Sequence, residues 1–225
     1  MLPTDTAMPP LPEFRPLDIE FEIPVRSETL PDGRAVLVSG DTEAGAKRMA
    51  SDADADVLRD APSSLLACSH IIREFKPDFT AEDLGDHLNL IDVELTAADT
   101  GRASFSLEQL AQTLADFDVP SHVEQAQSSE DLAHHIESGS GALVAVNLGE
   151  LWNSSSELGN GDANAVIVAL GVARDPLTGD ILGWYLNDVA AQRARALVDA
   201  ARMESSWLNA GGWLIVTDIV RRRWT

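Results

Sequence analysis

The stretch "NAVIVALGVARDPLTGDILGWYLND", Asn164 to Asp188, decides the fold class, because it holds two apolar runs joined by the turn text "DPLTGD". Valine, isoleucine and aromatic residues dominate the runs, and proline, glycine and aspartate reverse the chain between them, so they read as neighbouring antiparallel strands. "GALVAVNL" from Gly141 and "GGWLIVTDIV" from Gly211 have the same character and extend the sheet. Upstream the period becomes helical. In "SSLLACSHIIREF", Leu65, Leu66, Cys68, Ile71, Ile72 and Phe75 recur three and four apart, with Ser63 or Ser64 placed to cap the first turn. "TAED" from Thr80, "SLEQ" from Ser106 and "SSEDLAHHIESG" from Ser128 carry further helix starts. Alanine-rich "VAAQRARALVDAARMESSWL", Val189 to Leu208, is expected to be an amphipathic helix. Helices first and an antiparallel sheet later give an α+β fold.

Ahead of this core, residues 1–17 form an arm punctuated by Pro3, Pro9, Pro10, Pro12 and Pro16. Residues 18–57 hold two expected strands, "LDIEFEIPV" from Leu17 and "GRAVLVSG" from Gly33, with "LPDG" as the turn between them. Acidic, small-residue text from Gly40 to Asp60 reads as irregular. Residues 58–225 then make the main domain. Against 16 Lys and Arg stand 37 Asp and Glu, a net charge of −21. Such a field disfavours nucleic acid and anionic lipid and suits a basic partner. The single cysteine excludes an intrachain disulfide and, with no basic leader or long apolar run in the sequence, the expected location is cytoplasmic. A secretion route that needs no signal peptide is invisible to that test.

Few residues offer chemistry of their own. Cys68 sits inside a leucine and isoleucine run, where an inert buried thiol belongs, and His70, two positions on, points elsewhere. His134 and His135 are adjacent on one helix and cannot share a site, while His87 and His122 are isolated. His87 with Asp83 and Asp86 has conceivable metal-ligand spacing, but acids around a surface helix are usually solvated, so no metal is expected. No phosphate-binding glycine loop is present and no cofactor is expected. Asp60 stands at the entrance to the Ser63 helix, where a carboxylate complements the positive helix end. Asn164 begins one strand and Asp188 ends the next, so the pair is expected at the same end of the sheet. Neither is a histidine-type base near neutral pH.

In order and spacing this text resembles the papain-like cysteine peptidases of the bacteriocin-processing, double-glycine-leader type. "DAPSSLLACSHIIREF" is similar to their central helix, "NAVIVALGVARDPLTGDILGWYLND" to their histidine and aspartate strands, and "SSWLNAGGWLIVTD" to their final tryptophan-bearing segment. The likeness runs from about Leu58 to Asp218. It implies a papain-like fold in which the nucleophile falls on Asp60, the general base on Asn164 and the orienting acid on Asp188, with only Asp54 and Asp56 near the position of the oxyanion glutamine. Asp60, Ser63, Asn164, Asp188 and Trp184 would line the cleft. With nucleophile and base both replaced, the expected function is a non-catalytic, peptidase-like protein that binds a protein or an extended peptide as adaptor, chaperone, immunity or assembly factor. The alternative is an atypical hydrolase using Asp60, Asp162 or Asp188, or a cysteine peptidase using Cys68. Trp184, Trp207, Trp213 and Trp224 also leave room for a homo-oligomer. The terminal "VRRRWT" is expected to pair with the chain's own acids.

Overall fold

The computed structural model describes residues 25–52, 62–80, 82–84, 105–154 and 161–220. The text from Leu17 to Pro24, the positions of Asp54, Asp56, Asp60, Asp86 and His87, and the terminal "RRRWT" lie outside them. The described chain is α+β, with one antiparallel sheet of eight strands. These are β1 (Val25–Thr29), β2 (Ala35–Gly40), β3 (Ser121–Gln125), β4 (Ser140–Val146), β5 (Ala165–Arg174), β6 (Ile181–Asp188), β7 (Arg193–Asp199) and β8 (Trp213–Val220). The helices are α1 (Thr42–Asp52), α2 (Ser63–Phe75), α3 (Leu107–Asp116), α4 (Ser129–Ser138), α5 (Leu148–Trp152) and α6 (Ala200–Met203), the last continued by a π-helical turn, Glu204–Leu208.

β5 is the hub. Along one edge its first half pairs with β4, Ala165 to Ala169, and its second half with β2, Gly171 to Arg174. Along the other edge it pairs with β6, which in turn pairs with β7. β8 and then β3 extend the sheet beyond β4. Side chains alternate across this sheet, so one strand feeds two cores. Val168, Leu170, Leu143, Tyr185 and Ile215 meet α2 and α3 on one face. Ile167, Ala169, Val172, Val144, Trp184 and Leu186 meet α4, α5, α6 and Trp207 on the other. This burial on both faces explains why β4 and β5 read as nearly continuous apolar runs although the sheet is antiparallel.

Local chemistry sets the element ends. Ser106 and Gln109 close a reciprocal capping box on α3, with Gln109 N–H donating to Ser106 Oγ (3.2 Å) and Ser106 N–H to Gln109 Oε1 (2.8 Å). Thr80 and Asp83 exchange the same pair of bonds, and Ser128 with Asp131 box the start of α4, which Gly139 ends at φ 93°. Arg174 ties α4 to the β5–β6 hairpin, donating to Glu137 Oε1 (2.6 Å), Glu130 Oε2 (2.7 Å) and the Gly179 carbonyl (2.9 Å). At α2 the cap differs from the serine expected: Pro62 occupies that position, its carbonyl accepting from Leu65 and Leu66, and Ser63 is already helical. No helix among the described residues is long and apolar enough to cross a membrane.

Two further expectations need correction. Val189 to Leu208 is not one helix: it turns at 189–192, forms β7, and becomes helical only at Ala200. Alanine, arginine and leucine are good helix formers, but propensity is a small term that tertiary pairing overrides, and pairing with β6 gives a partner to every second main-chain group of an otherwise bare edge. Asp188 Oδ1 accepts the Ala191 N–H (3.0 Å), Gln192 adopts φ 53°, and Asp199 caps α6 by accepting from Arg202 N–H (2.9 Å). The text from Thr42 to Asp52, expected to be irregular, is α1. Its buried positions Thr42, Gly45 and Met49 recur three and four apart, and Gly45 lets the helix approach Leu170, whose Cδ2 would lie 2.5 Å from a Cβ there.

Gly40 links β2 to α1 at φ 112°, and an added Cβ would lie 2.2 Å from the Leu170 carbonyl oxygen, whereas Gly33, at φ 89°, faces open space. Gly40→Ala is therefore expected to cost about 3 kcal/mol or more, and Gly33→Ala about 1 kcal/mol, in urea unfolding. Equal losses at the two sites would remove the close-approach explanation.

Candidate functional site

Asn164 and Asp188 are both drawn to α5, one at each end. Asn164 donates its N–H to the Val146 carbonyl and accepts the Leu148 N–H at Oδ1, both at 2.9 Å. Asn147 completes that cap, accepting from Glu150 N–H at 3.1 Å. At the far end of α5, the Trp152 indole N–H donates to Asp188 Oδ2 at 2.8 Å, while Asp188 Oδ1 holds the β6–β7 turn at Ala191. Arg193 stacks over the same Trp152 ring, 4.4 Å from its centroid. Four helical steps, about 6 Å of axial rise, lie between Leu148 and Trp152. The register agrees: Asn187 pairs with Val168, so Asn164 lies beyond the end of β6.

Alternation along "GWYLND" also separates the expected cleft residues. Trp184 is fully buried in the core against α4 and α6, and Asp188, four positions on, looks out of the same face of β6. α2, which carries half-buried Ser63 at its start, packs on the opposite face. No hydrogen bond joins Ser63 to Trp184 or Asp188 among the described residues, and Asp60 lies outside them.

The polar residue of β6 that faces α2 is Asn187. It is fully buried and donates from Nδ2 to the Gly45 carbonyl (3.0 Å) while its Oδ1 accepts the Arg195 N–H (2.7 Å). The same Nδ2 approaches His70 Nε2 at 3.4 Å. A carboxamide N–H can donate only to an unprotonated ring nitrogen, which is the role this geometry offers Nε2. His70 is itself fully buried. This asparagine–histidine pair welds α1, α2, β6 and β7 together, and sequence reasoning passed it over. Its signal was the period of two, which puts Asn187 with Tyr185 rather than with Asp188.

Next to it lies a charged cluster on the same face. Arg195 donates to Glu28 Oε1 and to Thr42 Oγ1 (3.3 Å), and its guanidinium lies 4.7 Å from the centroid of the Tyr185 ring. Tyr185 donates its hydroxyl to Glu28 Oε2 (2.9 Å), and burial, with help from the Glu28 carboxylate, pushes its pKa up to about 12. The cluster clamps β1 to β6 and β7.

Of the other candidates, Cys68 is completely buried, points its Sγ at the Leu110 carbonyl 3.8 Å away, and has its pKa pushed up by burial. That disfavours the thiolate a nucleophile needs. His122 stands on the edge strand β3, with Nδ1 2.6 Å from Asp218 Oδ1 and Nε2 3.4 Å from Glu124 Oε2. Glu124 Oε1 in turn meets His135 Nε2 at 2.9 Å, which joins α4 to β3 and β8. His134 contacts the His135 ring, at a centroid distance of 6.1 Å. Among the described residues no group of three or more His, Cys, Asp or Glu side chains has metal-site geometry.

No family model matches this chain, and no curated protein matches it.

Asp188→Ala would leave two N–H donors without their acceptor, so a loss of about 1–3 kcal/mol is expected in urea unfolding. A value near zero would mean that Trp152 and Ala191 do not depend on this carboxylate. His122 gives a pH signature. Its pKa is raised above 6.5, first by the Asp218 hydrogen bond and then by Glu124. A raised folded-state value stabilises fully below the unfolded pKa and is lost as pH rises through the folded one. His122→Gln should therefore be most destabilising below about pH 6.5 and progressively less so above it, when melting is followed across that range. A deficit that grows with pH would reverse the assignment.

Proposed function

We propose that this chain is a non-catalytic, peptidase-like scaffold of papain-like descent that binds an extended, basic polypeptide segment as an adaptor, chaperone, immunity or assembly factor. The observation that carries the reading is the commitment of Asp188: both of its oxygens serve neighbouring N–H groups, so the acid that would orient a catalytic base instead holds α5 and the β6–β7 turn. Asn164, where the resemblance puts the base, caps α5 and cannot take a proton. The order of elements supports the descent: a central helix packed on one face of the sheet, a long hairpin, and a closing tryptophan-bearing strand. The net charge of −21 supports a cationic partner.

The test is fluorescence anisotropy with extended peptides of one length and three compositions, namely Lys/Arg-rich, neutral, and Asp/Glu-rich. Binding of the basic peptide is expected, weakening as salt is raised, and mass spectrometry should find every peptide intact afterwards. No binding of any peptide at low or high salt would overturn the proposal. Cleavage that disappears in Asp60→Asn or Asp188→Asn would establish the hydrolase reading in its place.

A further inference from the structure

We infer that the β1 edge is a self-association surface, on which a second copy of this chain adds its own β1 to make one sheet across a two-fold axis. β1 pairs with β2 over five unbroken residue pairs, and its other edge has no partner among the described residues. Strand edges left this way invite pairing unless charge, proline or a bulge blunts them. β7 is blunted by Arg195 at φ 49° and a register shift, and β3 carries the charged His122–Glu124 chain. β1 has no register shift and no left-handed residue, and its two charges, Arg26 and Glu28, are of opposite sign.

Its sequence complements itself. When "VRSET" pairs antiparallel with a copy about Ser27, Arg26 falls opposite Glu28 of the second copy, Glu28 opposite its Arg26, Val25 opposite its Thr29, and Ser27 opposite its Ser27. The outer face of the hairpin is uncharged and exposed throughout: Val25, Ser27 and Thr29 on β1, Ala35 and Leu37 on β2. Val25 and Leu37, 57% and 39% exposed, are two of the few large apolar side chains left in water. The formal charges of the hairpin cancel, Arg26 and Arg34 against Glu28 and Asp32, while Arg26 also meets Glu43 and Glu28 meets Arg195, so on a chain of net charge −21 this hairpin is a neutral surface. Two such chains repel at long range and fit at short range. Salt therefore strengthens their association, opposite in sign to its effect on a basic peptide, so failure of one proposal leaves the other standing.

The experiment is sedimentation equilibrium of the full chain over a wide concentration range, in about 0.02 M and about 0.5 M salt. A concentration-dependent dimer is expected, tighter at high salt. Arg26→Glu and Glu28→Arg should each weaken it roughly tenfold or more, and an equimolar mixture of the two variants should restore it, because the mixed pair regains opposite charges. Because both variants also disturb Glu43 and Arg195 within the chain, a substitution on the exposed face gives a second measure. Ser27→Cys, placed opposite itself across the axis, should form a disulfide-linked dimer about tenfold faster than Leu177→Cys on the most exposed apolar side chain, with wild-type Cys68 buried and silent in both. A monomer under every condition, or equal cross-linking rates for the two cysteine variants, would overturn the inference. So would a dimer that appears only after residues 1–24 are removed, since the chain's own leading segment would then be the occupant of the edge.

Discussion

Everything in this fold leans on the double obligation of β5. Its main chain must find hydrogen-bond partners along both edges while its side chains are buried on both faces, and no single neighbour runs its whole length. β4 serves the first half of one edge and β2 the second. Where the two hand over, the backbones crowd, and glycine is required. Gly40 and Gly171 stand opposite each other there, and a Cβ on Gly171 would lie 2.7 Å from the Ser39 carbonyl oxygen. Leu170 reaches from the same point into Gly45 of α1, whose carbonyl takes the Asn187 amide. Packing on one face and the buried polar pair are thus consequences of one tight crossing.

The sequence was legible where a single physical cause dominates. β4, β5, β6 and β8 are doubly buried or nearly so, and their apolar runs say so; the boxes at Ser106 and Ser128 mark helix starts because they satisfy N–H groups that nothing else reaches. β7 was illegible because its helix-forming residues obey a tertiary demand, the bare edge of β6. α1 was hidden by its acidic, small-residue composition, although three buried positions carried the period. β3, with "SHVEQ", has only one apolar residue and is recruited by β8. The candidate site divides in the same way. Asp188 was visible as a strand-end acid, but which face it serves follows from counting by twos from Trp184, and that places Asn187, not Asp188, towards α2.

The buried polar groups carry an argument about chemistry. A catalytic acid needs an unmet acceptor aimed at the group it orients, and a base needs a lone pair open to substrate. Asp188 and Asn187 are instead engaged in assembly: the two oxygens of Asp188 accept from the Trp152 indole and the nearby Ala191 N–H, and the one oxygen of Asn187 accepts from the Arg195 N–H. These bonds are what fix α5, α1 and β7 to the sheet. Such a residue resists substitution for reasons of assembly alone, so the Asn-Asp ending of β6 has a structural explanation that needs no reaction.

Charge extends this argument to the surface. The described arginines are largely answered from within: Arg26 by Glu43, Arg34 by Asp32, Arg48 by Asp41, Arg174 by Glu130 and Glu137, Arg195 by Glu28, and Arg202 by Asp199. Pairs of this kind contribute little each at an exposed site, but they use up the cations. What remains facing solvent is an excess of carboxylate, and the relief of that excess has to come from outside the chain, either as salt or as the positive charge of a partner. The two sources act oppositely on a basic ligand and on a second copy of the same acidic chain, because screening weakens the attraction in one case and the repulsion in the other. One electrostatic fact, the net charge of −21, thus sets opposite salt dependences for the two proposed associations.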